Sequence, residues 1–269
     1  MSFSSIDRRY LAWVVVVVTM VASFALGYHD LASRPLSQDE AASLRFSLAP
    51  AYSGIMGDGG NMAFYYLLLR GVVHVFGTSL AAVRLPSVVA GVVTVPVVFL
   101  VGKRLRGDRA GVVAALLFAV SLPLVYWQQT ARAYTLGTLL VAVSTLAFLA
   151  MLDSTGRLPA YAYFLSTLLA CYTLLFAALV VVAQLLSLLA WRARPLPTRR
   201  LAVALGAIAA GCIPLLVTAG NAGTAQIAWI PRPGPGALRL TGLSLMSASA
   251  ADGTSAATLV APCSGTSRS

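Results

Sequence analysis

The chain has 269 residues, of which 59% are hydrophobic and only 10% charged, with a formal net charge of +11 and a mean hydropathy of +0.85. This balance excludes a soluble domain and describes a polytopic membrane protein, all-α because backbone in lipid must satisfy its own hydrogen bonds. Nor does the positive charge indicate nucleic acid, because the basic residues fall between apolar stretches rather than in one patch with interleaved aromatics.

Uncharged stretches at 10–28, 85–102, 110–131, 133–152, 158–191 and 201–220 are helix-like in length and too long for strands. The first is long enough, at about 1.5 Å per residue, to cross a hydrocarbon core of about 30 Å. It exceeds an ordinary signal-peptide core and no clear cleavage site follows, so it reads as an anchor. Arg8 and Arg9 precede it; Lys103, Arg104, Arg106 and Arg109 crowd a second connection, and Arg192, Arg194, Arg199 and Arg200 a third. The positive-inside rule puts all three in the cytoplasm, leaving 29–83, the turn at 128–132 and everything after 220 outside. With both of its ends cytoplasmic, 158–191 must cross, turn and return. Two shortened helices meeting near Tyr172 and Thr173 are expected, with a single long tilted helix as the alternative. The total is then about seven spans.

The external segment 29–83 carries the first candidate chemistry. Asp39 and Glu40 are the only adjacent carboxylates, and Glu40 is the only glutamate. Ser37 and Glu40 also have the spacing of a capping box, a plainer reading that explains Glu40 better than Asp39. Residues 37–49 then form one helix and 62–76 a second, with Tyr66, Arg70 and His74 at steps of four along a polar face. Such helices lie in the membrane interface, with Arg70 and His74 toward headgroups, water or a ligand. Gly54, Gly57, Gly59 and Gly60 make the connection between them a flexible turn.

Two arginines face the same side. Arg84-Leu85-Pro86-Ser87 places one at the mouth of the second span, and Gln129-Thr130-Ala131-Arg132-Ala133-Tyr134 places another before the fourth. Each guanidinium can offer its planar fork to a phosphate, or simply anchor the chain at the interface. Cys171, Cys212 and Cys263 show no metal-ligand spacing, and neither metal nor disulfide is assigned.

The order of these parts (span, Asp39-Glu40, external helices with Tyr65-Tyr66-Leu67-Leu68-Leu69-Arg70, the Arg84 and Arg132 motifs around a basic turn) resembles the GT-C integral membrane glycosyltransferases. The likeness is strongest to the branch of protein O-mannosyltransferases and lipid A aminoarabinose transferases. It spans roughly residues 8–240, including Trp229-Ile230-Pro231, and implies a polyprenyl-phosphate sugar donor with no cofactor. Asp39 would be the catalytic residue, Glu40 its support, Arg84 and Arg132 the donor-phosphate contacts, and Tyr66, Arg70, His74 and Tyr134 possible substrate contacts. The acceptor would be an extracytoplasmic glycan, lipid or protein of the cell envelope, and the location the inner (plasma) membrane. The chain departs from the family pattern at Gly60-Asn61-Met62-Ala63, where many relatives have His-Pro-Pro, at Thr130, where a glutamate is common, and at Leu174-Leu175, which follow Thr173 where His-Tyr is common. Relatives usually continue through further helices, so residues 1–240 are expected to form a C-terminally truncated core. Residues 241–269, rich in Ser, Thr, Ala and Gly, are expected to be a disordered tail. A non-catalytic protein binding polyprenyl phosphate or a membrane partner is the alternative. A transporter fits least, because no charge lies mid-span and no inverted repeat is visible.

Overall fold

A computed structural model describes residues 3–50, 59–154, 156–190 and 198–222. The 241–269 tail, Gly54, Gly57, Arg192, Arg194 and Trp229-Ile230-Pro231 lie outside the described residues. Within them every regular element is helical: α1 Phe3–Tyr28, α2 Gln38–Leu48, α3 Ala63–Phe76, α4 Leu80–Arg106, α5 Asp108–Val120, α6 Leu122–Gln128, α7 Tyr134–Asp153, α8 Leu158–Thr173, α9 Ala178–Ala190 and α10 Thr198–Ala222.

Among the described residues four helices are long and apolar enough to cross a bilayer: α1, α4, α7 and α10. A fifth crossing results if α5 and α6, bent by 61° at their junction, count as one broken span. The break falls at Ser121, whose extended backbone precedes a proline in the first turn of α6; a ring there cannot continue the preceding helix. Uncharged sequence alone had suggested one continuous helix over 110–131.

Residues 158–190 form the two shortened helices expected, with the break after Thr173 and a short 3₁₀ turn, Leu175–Ala177, between them. The Tyr163 hydroxyl donates to Gln184 Oε1 at 3.0 Å. On one straight helix those residues would stand about 30 Å apart at about 1.5 Å per residue, so the chain must double back. At 16 and 13 residues, α8 and α9 are each shorter than the four long spans. The expected count of about seven therefore resolves into four or five full-length candidates and this short hairpin. Gln184 Nε2 also reaches Ser144 and Thr145 on α7 at 3.4 and 3.3 Å, and Ser144 pairs with Thr167 of α8 at 2.7 Å. Such interhelical polar contacts fasten helices where lipid offers no hydrophobic drive.

The long helices pack through small residues. On α1 the buried side chains Ala12, Val16, Thr19 and Ser23 recur at three- and four-residue steps, while Val14, Val17, Val18 and Val21 stay on the outer face. Ala12 and Val16 meet Val95, Phe99, Ala115 and Ala119 of α4 and α5. Gly111 sets the α4–α5 approach: a Cβ there would lie 2.5 Å from the Phe99 carbonyl oxygen. The hairpin between them turns at Gly107, with φ +87°. The α4 N-terminus, the α6–α7 turn and the segment joining α1 to α2 consequently meet at one end of the bundle. The basic turn of Lys103 and Arg106 lies at the other end of α4.

Candidate active site

Ser37 caps α2 with extended backbone, and the capping box forms in full. Its hydroxyl accepts the Glu40 N–H at 3.3 Å while the Glu40 carboxylate accepts the Ser37 N–H at 2.9 Å. The same carboxylate grips Arg84 of α4 in a two-pronged pair, Nε to Oε1 at 2.8 Å and Nη2 to Oε2 at 3.0 Å. Oε1 also accepts the Ala131 N–H at 2.9 Å. Arg84 gives its other N–H groups to the carbonyls of Leu31 (2.6 Å), Arg34 (3.0 Å) and Pro35 (3.1 Å). All five donors of the guanidinium are thereby filled from within the protein. Both side chains are 3% exposed. Burial by itself would raise the Glu40 pKa, but the Arg84 contact and the two backbone N–H groups outweigh it and hold the group at about 2.

Asp39 precedes Glu40 on α2 and points elsewhere. Its side chain is 70% exposed, and Oδ2 stands 3.6 Å from Arg132 Nη2. Arg132 sits in the α6–α7 turn, its own carbonyl accepting the Ser87 hydroxyl at 3.3 Å. Its guanidinium lies 5.6 Å from the centroid of the Tyr134 ring, which in turn packs 4.2 Å from Trp127. Burial works against the Arg132 charge, but Tyr134 and the Asp39 carboxylate prevail and its pKa is raised. The Arg132 Nε is buried without a hydrogen-bond partner, as is the hydroxyl of Thr135. Buried polar groups seldom stay unpaired, so these atoms mark a place where a polar ligand would be welcome.

The other expected contacts divide. Tyr66 is buried and its hydroxyl meets Met62 Sδ at 3.6 Å. Arg70 donates to the carbonyls of Ala49 and Ser47, closing the C-terminus of α2. His74 is exposed at the end of α3, one turn beyond Arg70. Tyr134 packs against Arg132, and Tyr66 is close enough to act on its charge.

Sequence reasoning missed Gln129. Its Nε2 donates to the carbonyls of Leu26 (2.8 Å) and His29 (3.0 Å), and its Oε1 accepts Arg34 Nη2 at 2.8 Å. It thus ties the end of α1 to the turn that carries Arg132. Two adjacent glutamines between apolar spans were the available signal. Asn61 was likewise passed over; its Oδ1 accepts the Leu175 N–H at 3.2 Å and joins the start of α3 to the α8–α9 break. No grouping of three or more His, Cys, Asp or Glu able to hold a metal occurs among the described residues.

These observations define a polytopic helical membrane protein whose carboxylates and arginines converge at one end of the bundle. Against family models, residues 62–217 match the dolichyl-phosphate-mannose-protein mannosyltransferase family. The match covers more than half of the chain, and the protein belongs to that family of membrane glycosyltransferases. No curated protein and no solved structure matches the chain. The matched segment contains Tyr66, Arg70, His74, Arg84, Arg132 and Tyr134, whereas Asp39 and Glu40 precede it.

Proposed function

We propose that this protein transfers a sugar, with mannose the first choice, from a polyprenyl-phosphate donor to a hydroxyl on an extracytoplasmic cell-envelope acceptor. The observation that carries the reading is the opposition of an exposed carboxylate, Asp39, to a half-buried arginine, Arg132, whose Nε has no partner. The family supports a lipid-linked donor.

The acceptor oxygen attacks the anomeric carbon, the bond from that carbon to the phosphate oxygen breaks, and its electron pair leaves with the polyprenyl phosphate. Asp39 takes the proton that the acceptor hydroxyl loses. Arg132 faces the phosphate and stabilises the charge that grows on its oxygens, a fixed electrostatic contribution at a partly dry site. Phosphate is already a good leaving group, so a second carboxylate acting as general acid is unnecessary.

Glu40 and Arg84 take a supporting role in this scheme. A carboxylate held at about 2 and saturated with donors is a poor base, and a guanidinium with five filled N–H groups has none for phosphate. They fix α2 against α4 and the Ala131 backbone, and so aim Asp39 at Arg132. The test is transfer by purified, bilayer-reconstituted protein from a polyprenyl-phosphate mannose donor. Asp39→Asn keeps the shape and removes the base, and should lower the rate by about 10²-fold or more. Undiminished transfer by that variant would remove Asp39 from the chemistry.

A further inference from the structure

The opposite end of the bundle holds a cavity of about 930 Å³ that none of the candidate active-site residues lines. Its walls are the end of α7, the first turns of α8 and α10, and the short connection between α7 and α8. α7 has 20 residues, which puts this cavity roughly 30 Å from the Asp39 end at about 1.5 Å per residue.

Three arginines, Arg157, Arg199 and Arg200, and one carboxylate, Asp153, are among its described lining residues. Arg157 and Arg199 are exposed, and Arg157 stands at the N-cap of α8 without making a side-chain cap. Arg200 is anchored, its Nη1 donating to the carbonyls of Ser154 (3.1 Å) and Gly156 (3.4 Å). The starts of α8 and α10 both open here, adding the positive ends of two helix dipoles to the arginine charge. Away from the charges the wall turns apolar, running along α8 and α10 through Ala160, Phe164, Val203, Ala204 and Ala207, with α10 long and apolar enough to span.

We propose that this cavity binds the headgroup of an anionic glycerophospholipid, its phosphate between Arg157 and Arg199 and an acyl chain against the α8–α10 wall. A free phosphate would use the charge and leave the apolar wall idle. A zwitterionic lipid would bring a cation against three arginines. Basic pockets between transmembrane helices suit lipid phosphates in this way. The site is independent of the transfer reaction proposed above, and its readout is lipid retention rather than activity.

The experiment reconstitutes the full chain in nanodiscs of equal parts phosphatidylcholine and phosphatidylglycerol, ejects it, and counts retained lipid by native mass spectrometry. Wild type should hold phosphatidylglycerol in preference to phosphatidylcholine. Arg157→Gln with Arg199→Gln should lower that retention roughly 25-fold, about fivefold per arginine. Arg157→Lys with Arg199→Lys keeps the charge and should retain most of it, which separates lost binding from lost folding. Equal retention by the glutamine variant, or no preference in wild type, would overturn the proposal. So would retention that depends on Arg132 instead, because the lipid would then sit at the other end.

Discussion

Replacing Glu40 with glutamine isolates the buried pair that organises the site. The carboxylate accepts four N–H groups: two from Arg84, one from Ala131 and one from Ser37. An amide keeps one acceptor oxygen and turns its NH₂ toward two donors, while Arg84 stays 2% exposed with no counter-charge. Removing one partner of such a pair costs about 3–5 kcal/mol. The shift of the Glu40 pKa from 4.5 to about 2 gives roughly 3 kcal/mol by a separate route, at about 1.4 kcal/mol per unit. At about 2–4 °C per kcal/mol for a chain of this size, the unfolding midpoint should fall by roughly 6–20 °C.

A thiol-reactive fluorophore can follow this unfolding in detergent, because Cys171 is buried in α8 and reacts once the bundle opens. Cys212, only partly buried, and Cys263 would be replaced by serine so that Cys171 alone reports. The same pair predicts an acid limb. A group whose folded pKa is depressed adds stability that is complete above its ordinary value and lost as pH falls through the folded one. The wild-type midpoint should therefore carry a component that disappears between pH 4.5 and about 2, and Glu40→Gln should lack it. A glutamine variant melting within about 2 °C of wild type would refute the claim that this pair holds α2 in place.

Gly111→Ala should destabilise by about 1–3 kcal/mol, because its new Cβ meets a backbone oxygen that cannot rotate away, whereas Gly206→Ala, with nothing within 4 Å, should be neutral or gain up to about 1 kcal/mol from helix propensity; thermal midpoints compare the two. Arg70→Ala frees the carbonyls at the end of α2 and should cost about 1–3 kcal/mol, while His74→Ala, exposed beyond it, should stay within about 0.5 kcal/mol on the same melt.

Local signals in the sequence were readable wherever the physics is local. Ser37 and Glu40 are three residues apart, and their capping box is present with both bonds. The hairpin at 158–191 could be expected because two basic connections forced an even number of passes, and Tyr163 meeting Gln184 agrees. What the sequence could not show was the partner of Glu40, because Arg84 lies 44 residues away and nothing local distinguishes a guanidinium buried against carbonyls from one open to phosphate. Arg132 has the same residue type at a similar boundary, yet its Nε is left unpaired. Only the three-dimensional count of donors and acceptors separates them. The α5–α6 break also has a local signal, since Pro123 lies just past Ser121 in an otherwise uninterrupted apolar run. The stripe on α3 had the right period: Arg70 and His74 stand exposed, with Arg70 also reaching back to α2, while Tyr66 is buried.

The account rests on a division of labour between Asp39 and Arg132, and donor binding measured beside transfer tests it most directly. Displacement of a fluorescent polyprenyl phosphate from reconstituted protein gives affinity, and single-turnover mannose transfer gives the chemical rate. Asp39→Asn should bind the donor within a few-fold of wild type and transfer about 10²-fold more slowly. Arg132→Gln should lose donor affinity by roughly tenfold or more, as expected for one charge-assisted contact of about 1.5–3 kcal/mol. Wild-type donor affinity in Arg132→Gln, together with full transfer in Asp39→Asn, would contradict the account.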